Sequence, residues 1–239
     1  MRSLRAAILI ALHFCFAVWA YRRLPELASP DWSLWLPGAP ADGTEALPRG
    51  LVAFAPPIAS LGLWLLLAAL ASTVGERAGR RFLPGWLVSE RTGTAAIERF
   101  SPTFAAMVLA IAACAFFLHV GAVATILEWP VWVLRGSLAA IGLAMMVLGN
   151  IVPRTRPNWI AGLRTKPAMR DPDLWRTTHR RFGALLMLTG LAVVVTAMLA
   201  TPFALPVGVA GALASAIAAS VSAGRDGAQA SEERTSASV

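Results

Sequence analysis

Charge is scarce in this chain: Asp, Glu, Lys and Arg make up 14% of its 239 residues while 57% are apolar, against roughly 25% and 45–50% in an ordinary soluble domain. A soluble globular fold is thereby excluded. Cysteine is limited to two residues, Cys15 and Cys114, each deep inside an apolar run, so neither a disulfide framework nor a thiol pair spaced for zinc exists. The patterns H-E-x-x-H, G-x-S-x-G, G-x-x-x-x-G-K-[ST] and G-x-G-x-x-G are all missing, which removes metalloprotease, serine-hydrolase and nucleotide-binding chemistry. No cofactor, no metal and no enzymatic activity are expected. The apolar runs hold no Asp, Glu or Lys, and one Arg, Arg135, near a run's end. Ion pathways and proton-coupled carriers need ionisable groups at depth, so a pump or coupled transporter is disfavoured.

What is present is a set of six long apolar runs: Ala6–Tyr21, Leu51–Val74, Thr103–Leu127, Val131–Ile151, Phe182–Ala200 and Phe203–Ser222. About 20 residues at 1.5 Å rise cross a ~30 Å hydrocarbon core, so each run spans as a helix. The fold class is all-α, a polytopic six-helix membrane bundle. The net charge of +8 comes from 21 basic residues, of which only Lys166 is lysine. Seventeen fall in the N-terminal stub, the second and fourth loops and the tail, and four (Arg22, Arg23, Arg49, Arg135) on the opposite side. The positive-inside rule then places both termini in the cytoplasm. Basic residues confined to loops point to the lipid bilayer as partner and away from direct contact with nucleic acid. A cleavable signal peptide is the competing reading of the first run, since Val18-Trp19-Ala20 meets the small-residue rule. Trp19 and Tyr21 followed by Arg22 and Arg23 read instead as an interfacial anchor.

The organisation that follows is a first transmembrane helix (1–21), an extracytoplasmic loop (22–50), helices two to four (51–151) enclosing a basic cytoplasmic loop (75–102), a cytoplasmic signature loop (152–181), helices five and six (182–222) and a disordered tail (223–239). The first loop is rich in Pro, Gly and Asp, and its Trp32 and Trp35 are expected to lie against the interface. Pro56 and Pro57 are expected to kink or restart the second helix. Small residues (Gly208, Gly211, Ala212, Ser215, Ala216, Ala219) dominate the last span and permit close helix contact. His13 and His119 lie at depth, where a neutral imidazole bridges helices more often than it relays protons.

The fourth loop carries the most information. Pro153 and Pro157 end the fourth helix, and Asn158 and Gly162 suit turns that need φ > 0. Asp171-Pro172 has the form of an N-cap followed by proline at the first helical position, so a helix is expected from Asp173 into the fifth span. There Trp175, Thr178, His179 and Phe182 share one face.

These residues resemble the hallmark of the SdpI (sporulation-delaying-protein immunity) family of bacterial membrane proteins: Gly149, Asn150, Pro153, Pro157, Asn158, Gly162, Arg164 and Thr165, then Trp175, Thr178, His179, Arg180 and Gly183. The likeness covers about 35 of the 239 residues. A weaker one includes Leu24-Pro25 and Gly38-Ala39-Pro40-Ala41-Asp42-Gly43 in the first loop. The chain departs from the family where a histidine is expected in the first loop (Pro30-Asp31-Trp32-Ser33 stands there) and where Lys166-Pro167-Ala168-Met169 follows Arg164-Thr165 in place of Pro-Trp-Thr-Leu. The resemblance implies a non-enzymatic binding role in the bacterial inner membrane. A protein of this kind gives immunity against a secreted membrane-active peptide toxin on the extracytoplasmic side and binds a cytoplasmic transcriptional repressor. Eight basic residues against Asp171 and Asp173 give the loop a net +6, which steers an acidic partner or anionic headgroups. Within the motif, Arg164 and Arg180 are expected to make charge-assisted bonds, His179 to orient one of them, and Asn150 and Asn158 to cap freed backbone groups. The competing functions are a transporter or efflux permease with His13 and His119 along its path, and an enzyme with His179 as general base.

Overall fold

The structure, a computed structural model, describes residues 2–39, 46–73, 94–155 and 162–236. The helices among them are α1 (Arg2–Arg23), α2 (Arg49–Thr73), α3 (Thr94–Ile126), α4 (Val131–Ile151), the short α5 (Lys166–Arg170), α6 (Pro172–Leu199) and α7 (Ala204–Ser236). Six of them are long and apolar enough to cross a membrane, and the protein is a multi-pass membrane protein. Two-residue strands β1 (Leu27–Ala28) and β2 (Leu47–Pro48) pair antiparallel and close the loop between α1 and α2. The expected basic loop 75–102 falls mostly on residues outside those described.

Each connection is set by local chemistry. Glu128 takes a φ of 52° and turns α3 back into α4, with Pro130 just ahead of the new helix. Thr201-Pro202 begins a 3₁₀ turn that reverses α6 into α7, and Arg135 Nε donates to Thr201 Oγ1 at 3.2 Å, securing that turn to α4. Consecutive helices are thus antiparallel neighbours: α1, α2 and α3 pack together, and α3, α4, α6 and α7 form a continuing row. The bundle has two ends, a hairpin end with β1, β2 and the turns at 127–130 and 200–203, and a loop end with the segment from Val152 to Asp171.

Outward faces are apolar. Leu188, Leu191, Val195, Leu213 and Ile217 are all exposed, a surface that is stable only against hydrocarbon. Inward hydroxyls bond the carbonyl one turn back, as Ser137 does to Val133, Thr189 to Leu185 and Ser215 to Gly211, so these hydroxyl donors are satisfied within their own helices. The α6–α7 seam uses the small residues of the last span: Gly211 lies against Thr189, whose hydroxyl also meets Ser215 at 3.4 Å. Between α4 and α6 the fit is tighter. A Cβ on Gly142 would lie 2.6 Å from the Gly190 carbonyl oxygen, and one on Gly149 2.5 Å from that of Gly183. Both pairs are spaced by seven residues along antiparallel helices, so the two backbones touch at two points two turns apart.

The structure departs from the expectations in three places. The prolines of α2 do not restart it: one helix runs from Arg49 to Thr73 with Pro56 and Pro57 inside. They lack the N–H that would bond the Val52 and Ala53 carbonyls; one turn on, Ser60 Oγ donates to the Pro56 carbonyl at 2.9 Å. Trp35 does not lie at the interface: Asp31 Oδ1 accepts from the Ser33 backbone and hydroxyl, and the resulting turn drives Trp35 into the core beside Leu134 and Leu138. Gly121 makes the seat, since a Cβ there would lie 2.8 Å from the indole. Trp32's side chain is outside the described residues. Third, the chain beyond Gly224 is helical to Ser236 where a disordered tail is expected. Tertiary contacts hold it: Ala223 is buried, Asp226 pairs with Arg181 at 2.6 Å, and Gly227 fits against Pro167.

Candidate functional site

The loop end is a built module. After α4 a 3₁₀ turn, Val152–Arg154, contains Pro153, whose ring packs on Gly183 of α6. Thr155 is buried, its hydroxyl donating to the Val152 carbonyl at 2.7 Å. Residues 156–161, including Pro157 and Asn158, lie outside the described residues. The chain re-enters at Gly162 with φ of 105°, a conformation open to glycine. Thr165 caps α5 by accepting from the Ala168 N–H at 3.4 Å. Asp171 Oδ1 then accepts from the N–H groups of Asp173 (2.8 Å) and Leu174 (3.3 Å) with Pro172 at the first helical position, the cap the sequence indicates.

The face expected from helical spacing is the face that faces inward: Trp175, Thr178 and His179 are buried and Phe182 half-buried. Trp175 Nε1–H donates to the Thr155 carbonyl at 3.1 Å, joining α6 to the segment after α4, and its ring closes a small core with Ala168 and Met169. His179 stacks on Trp175 with ring centroids 3.9 Å apart and a 20° interplanar angle. Its Nε2 accepts from the Leu163 N–H at 3.1 Å and its Nδ1 meets the Trp175 carbonyl at 2.8 Å. An atom that accepts at Nε2 and faces an acceptor at Nδ1 is a neutral imidazole with the proton on Nδ1. Gly162 has a second reason to be glycine, because a Cβ there would run into His179 Nε2. His179 therefore positions the loop backbone. Both ring nitrogens are taken by main chain, so neither is left to bond the guanidinium of Arg164 or Arg180.

Arg164 and Arg180 are exposed, as is Asn150 on the last turn of α4. Arg180 belongs to an outward cleft of about 510 Å³ lined by Pro153, Arg154, Thr155, Asp173, Arg176, Thr177 and Arg180. Three guanidinium groups face one carboxylate there, and Asp173 is engaged with Arg176 at 3.3 Å. A cleft of this sign and shape accepts carboxylate or phosphate oxygens. Among the described residues no three His, Cys, Asp or Glu side chains cluster to hold a metal. The sequence reading missed Arg154, Arg176 and the Thr155 carbonyl as parts of this site, and it missed the Gly142–Gly190 contact. The equal spacing of glycines 142 and 149 with 183 and 190 was the available signal for the last.

At the hairpin end, His13 Nε2 and His119 Nδ1 are 2.9 Å apart, bridging α1 and α3 as the structural reading of these two residues requires. Phe16 and Phe116 flank the pair edge-on.

Compared with known proteins, residues 154–223 match the model of the SdpI/YfhL protein family. The matched stretch starts within the 3₁₀ turn after α4 and takes in the cleft, α5, α6 and α7 to Ala223. It overlaps the module just described. No curated protein and no solved structure matches the chain.

Proposed function

We propose that this chain is an immunity protein of the bacterial inner membrane, which protects the bilayer from a secreted membrane-active peptide and offers its cytoplasmic loop end to an acidic segment of a transcriptional repressor. The observation that carries the reading is the overlap of the family match at 154–223 with a loop locked by Trp175 and His179. The tether brings the backbone of Arg154 beside Arg176 and Arg180 on α6, which lowers the ordering cost of binding. The positive-inside distribution puts that cleft, and both termini, in the cytoplasm. Protection and capture then take place at opposite ends of one bundle.

The test separates the two halves. Toxin-sensitive cells produce the native chain, an Arg176→Glu/Arg180→Glu variant, or a His179→Ala variant, at equal membrane abundance. The native chain is expected to sustain growth under peptide challenge and to draw a fluorescent repressor to the membrane. Charge reversal in the cleft is expected to abolish recruitment and spare survival. Survival no better than in empty cells, across peptides that depolarise them, refutes the immunity reading; recruitment unaffected by charge reversal refutes the cleft as docking site.

A further inference from the structure

An apolar cavity lies far from the loop module, between α2 and α3 at the hairpin end. It holds about 430 Å³ and is lined by Pro56, Ser60, Trp64, Ala112, Ala115 and His119, with Trp35 from the first loop. Two of its wall residues carry the buried polar side-chain atoms that find no hydrogen-bond partner, Trp35 Nε1 and His119 Nε2. Both residues are deeply buried, Trp35 at 4% and His119 at 2% exposure. Trp35 Nε1 is an indole N–H and so a donor in every state, while the His13–His119 bond can run in either direction. An unpaired indole N–H buried at 4% exposure is costly, and an acceptor oxygen brought in by a ligand relieves that cost.

We propose that this cavity binds the acyl chain of a membrane glycerolipid, with the ester carbonyl drawn toward Trp35 and His119. Size selects the occupant. A volume of about 430 Å³ with an apolar lining suits a single chain of methylenes. One turn of α-helix, about 10 Å across with a 5.4 Å pitch, already takes about 420 Å³, so no more than a single turn of a helical peptide fits there. The lining is almost wholly apolar, and the helices that form it face lipid, which delivers such chains at high local concentration. The bound lipid fills the space between α2 and α3, completing the bundle where protein alone leaves a gap.

The test uses the full chain in vesicles of phosphatidylethanolamine and phosphatidylglycerol doped with a phospholipid carrying a diazirine on its acyl chain. Crosslinks after irradiation are mapped by peptide mass spectrometry. The cavity residues Trp64, Ala112 and Ala115 are expected to be labelled well above the outward Leu188 and Leu191, which report lipid at large. Ala115→Phe, which fills the cavity, is expected to cut labelling there at least tenfold and leave Leu188 and Leu191 unchanged. Trp35→Phe keeps the ring and removes the donor, so it covers the case in which the filled variant fails to fold. It is expected to weaken labelling by the ester lipid several-fold and leave an ether-linked analogue unaffected. Labelling spread evenly over cavity and outward faces, or equal response of ester and ether lipids to Trp35→Phe, overturns the proposal. So does displacement of the label by an amphipathic peptide, which would assign the cavity to a peptide.

Discussion

Replacing His179 by alanine isolates what the imidazole does for the loop. The ring is fully buried, stacks on Trp175 at 3.9 Å and accepts from the Leu163 N–H at 3.1 Å. Truncation leaves that half-buried N–H without a partner, at about 1 kcal/mol, and removes the ring stack, at about 1 kcal/mol. The void between Gly162 and α6 adds about 1 to 2 kcal/mol. The total, about 3 to 4 kcal/mol, falls on the tether between the Gly162 turn and α6, while Trp175 still holds Thr155 and α6 still packs on α4 through glycines. Local opening is the expected result, not global unfolding. At 1.4 kcal/mol per decade the open population rises about 100- to 700-fold. Trypsin added to solubilised protein reads this directly, because cleavage follows the open population when opening is fast. Cutting after Arg164 should accelerate by that factor while cutting after Arg225, which His179 does not touch, stays constant. Acceleration under threefold at Arg164, or equal acceleration at both sites, refutes the reasoning.

Four further outcomes follow from the same geometry. Gly183→Ala drives a Cβ into the Gly149 carbonyl and Pro153 and should cost about 1 to 3 kcal/mol, lowering the Tm in detergent. Gly136→Ala, with nothing within 4 Å, should leave the Tm unchanged or raise it, since alanine is worth up to about 1 kcal/mol over glycine in a helix. Trp175→Phe loses the bond to the Thr155 carbonyl and should cost about 1 to 2 kcal/mol, read as a Tm drop that Trp132→Phe at an exposed site does not reproduce. Asp226→Asn breaks a half-exposed pair with Arg181 worth at most about 1 kcal/mol, so proteolysis of the 224–236 segment should rise modestly in low salt and the difference should vanish at 1 M salt. For orientation, single cysteines at Ala39 and Arg170 in a background lacking Cys15 and Cys114 should react with impermeant maleimide from outside and only after permeabilisation, respectively; the reverse pattern would invert the topology.

Most of the architecture was legible because its signals are local. Apolar run length gives six spans, Asp171-Pro172 gives the start of α6, and one helical face gives Trp175, Thr178 and His179. What escaped depends on partners distant in sequence. Nothing near Trp35 says that Gly121 leaves room for it. Nothing near Gly224 says that Asp226 will meet Arg181, so a polar, small-residue tail reads as disordered until its neighbour is known. His179 is identifiable as important but not for its reason: the partner is a backbone N–H, which no side-chain pattern records. The arginine cleft likewise joins Arg154 to residues on α6 only after the loop folds back.

The most direct test of protection uses purified protein reconstituted in vesicles of phosphatidylethanolamine and phosphatidylglycerol, holding a potassium diffusion potential read by a voltage-sensitive dye. With no nucleotide and no proton gradient, export cannot contribute. On addition of secreted membrane-active peptides that collapse the potential of empty vesicles, protein-bearing vesicles should keep most of theirs against at least one peptide, and heat-inactivated protein should not. Collapse at the same rate with and without the protein, for every peptide active on empty vesicles, contradicts intrinsic immunity.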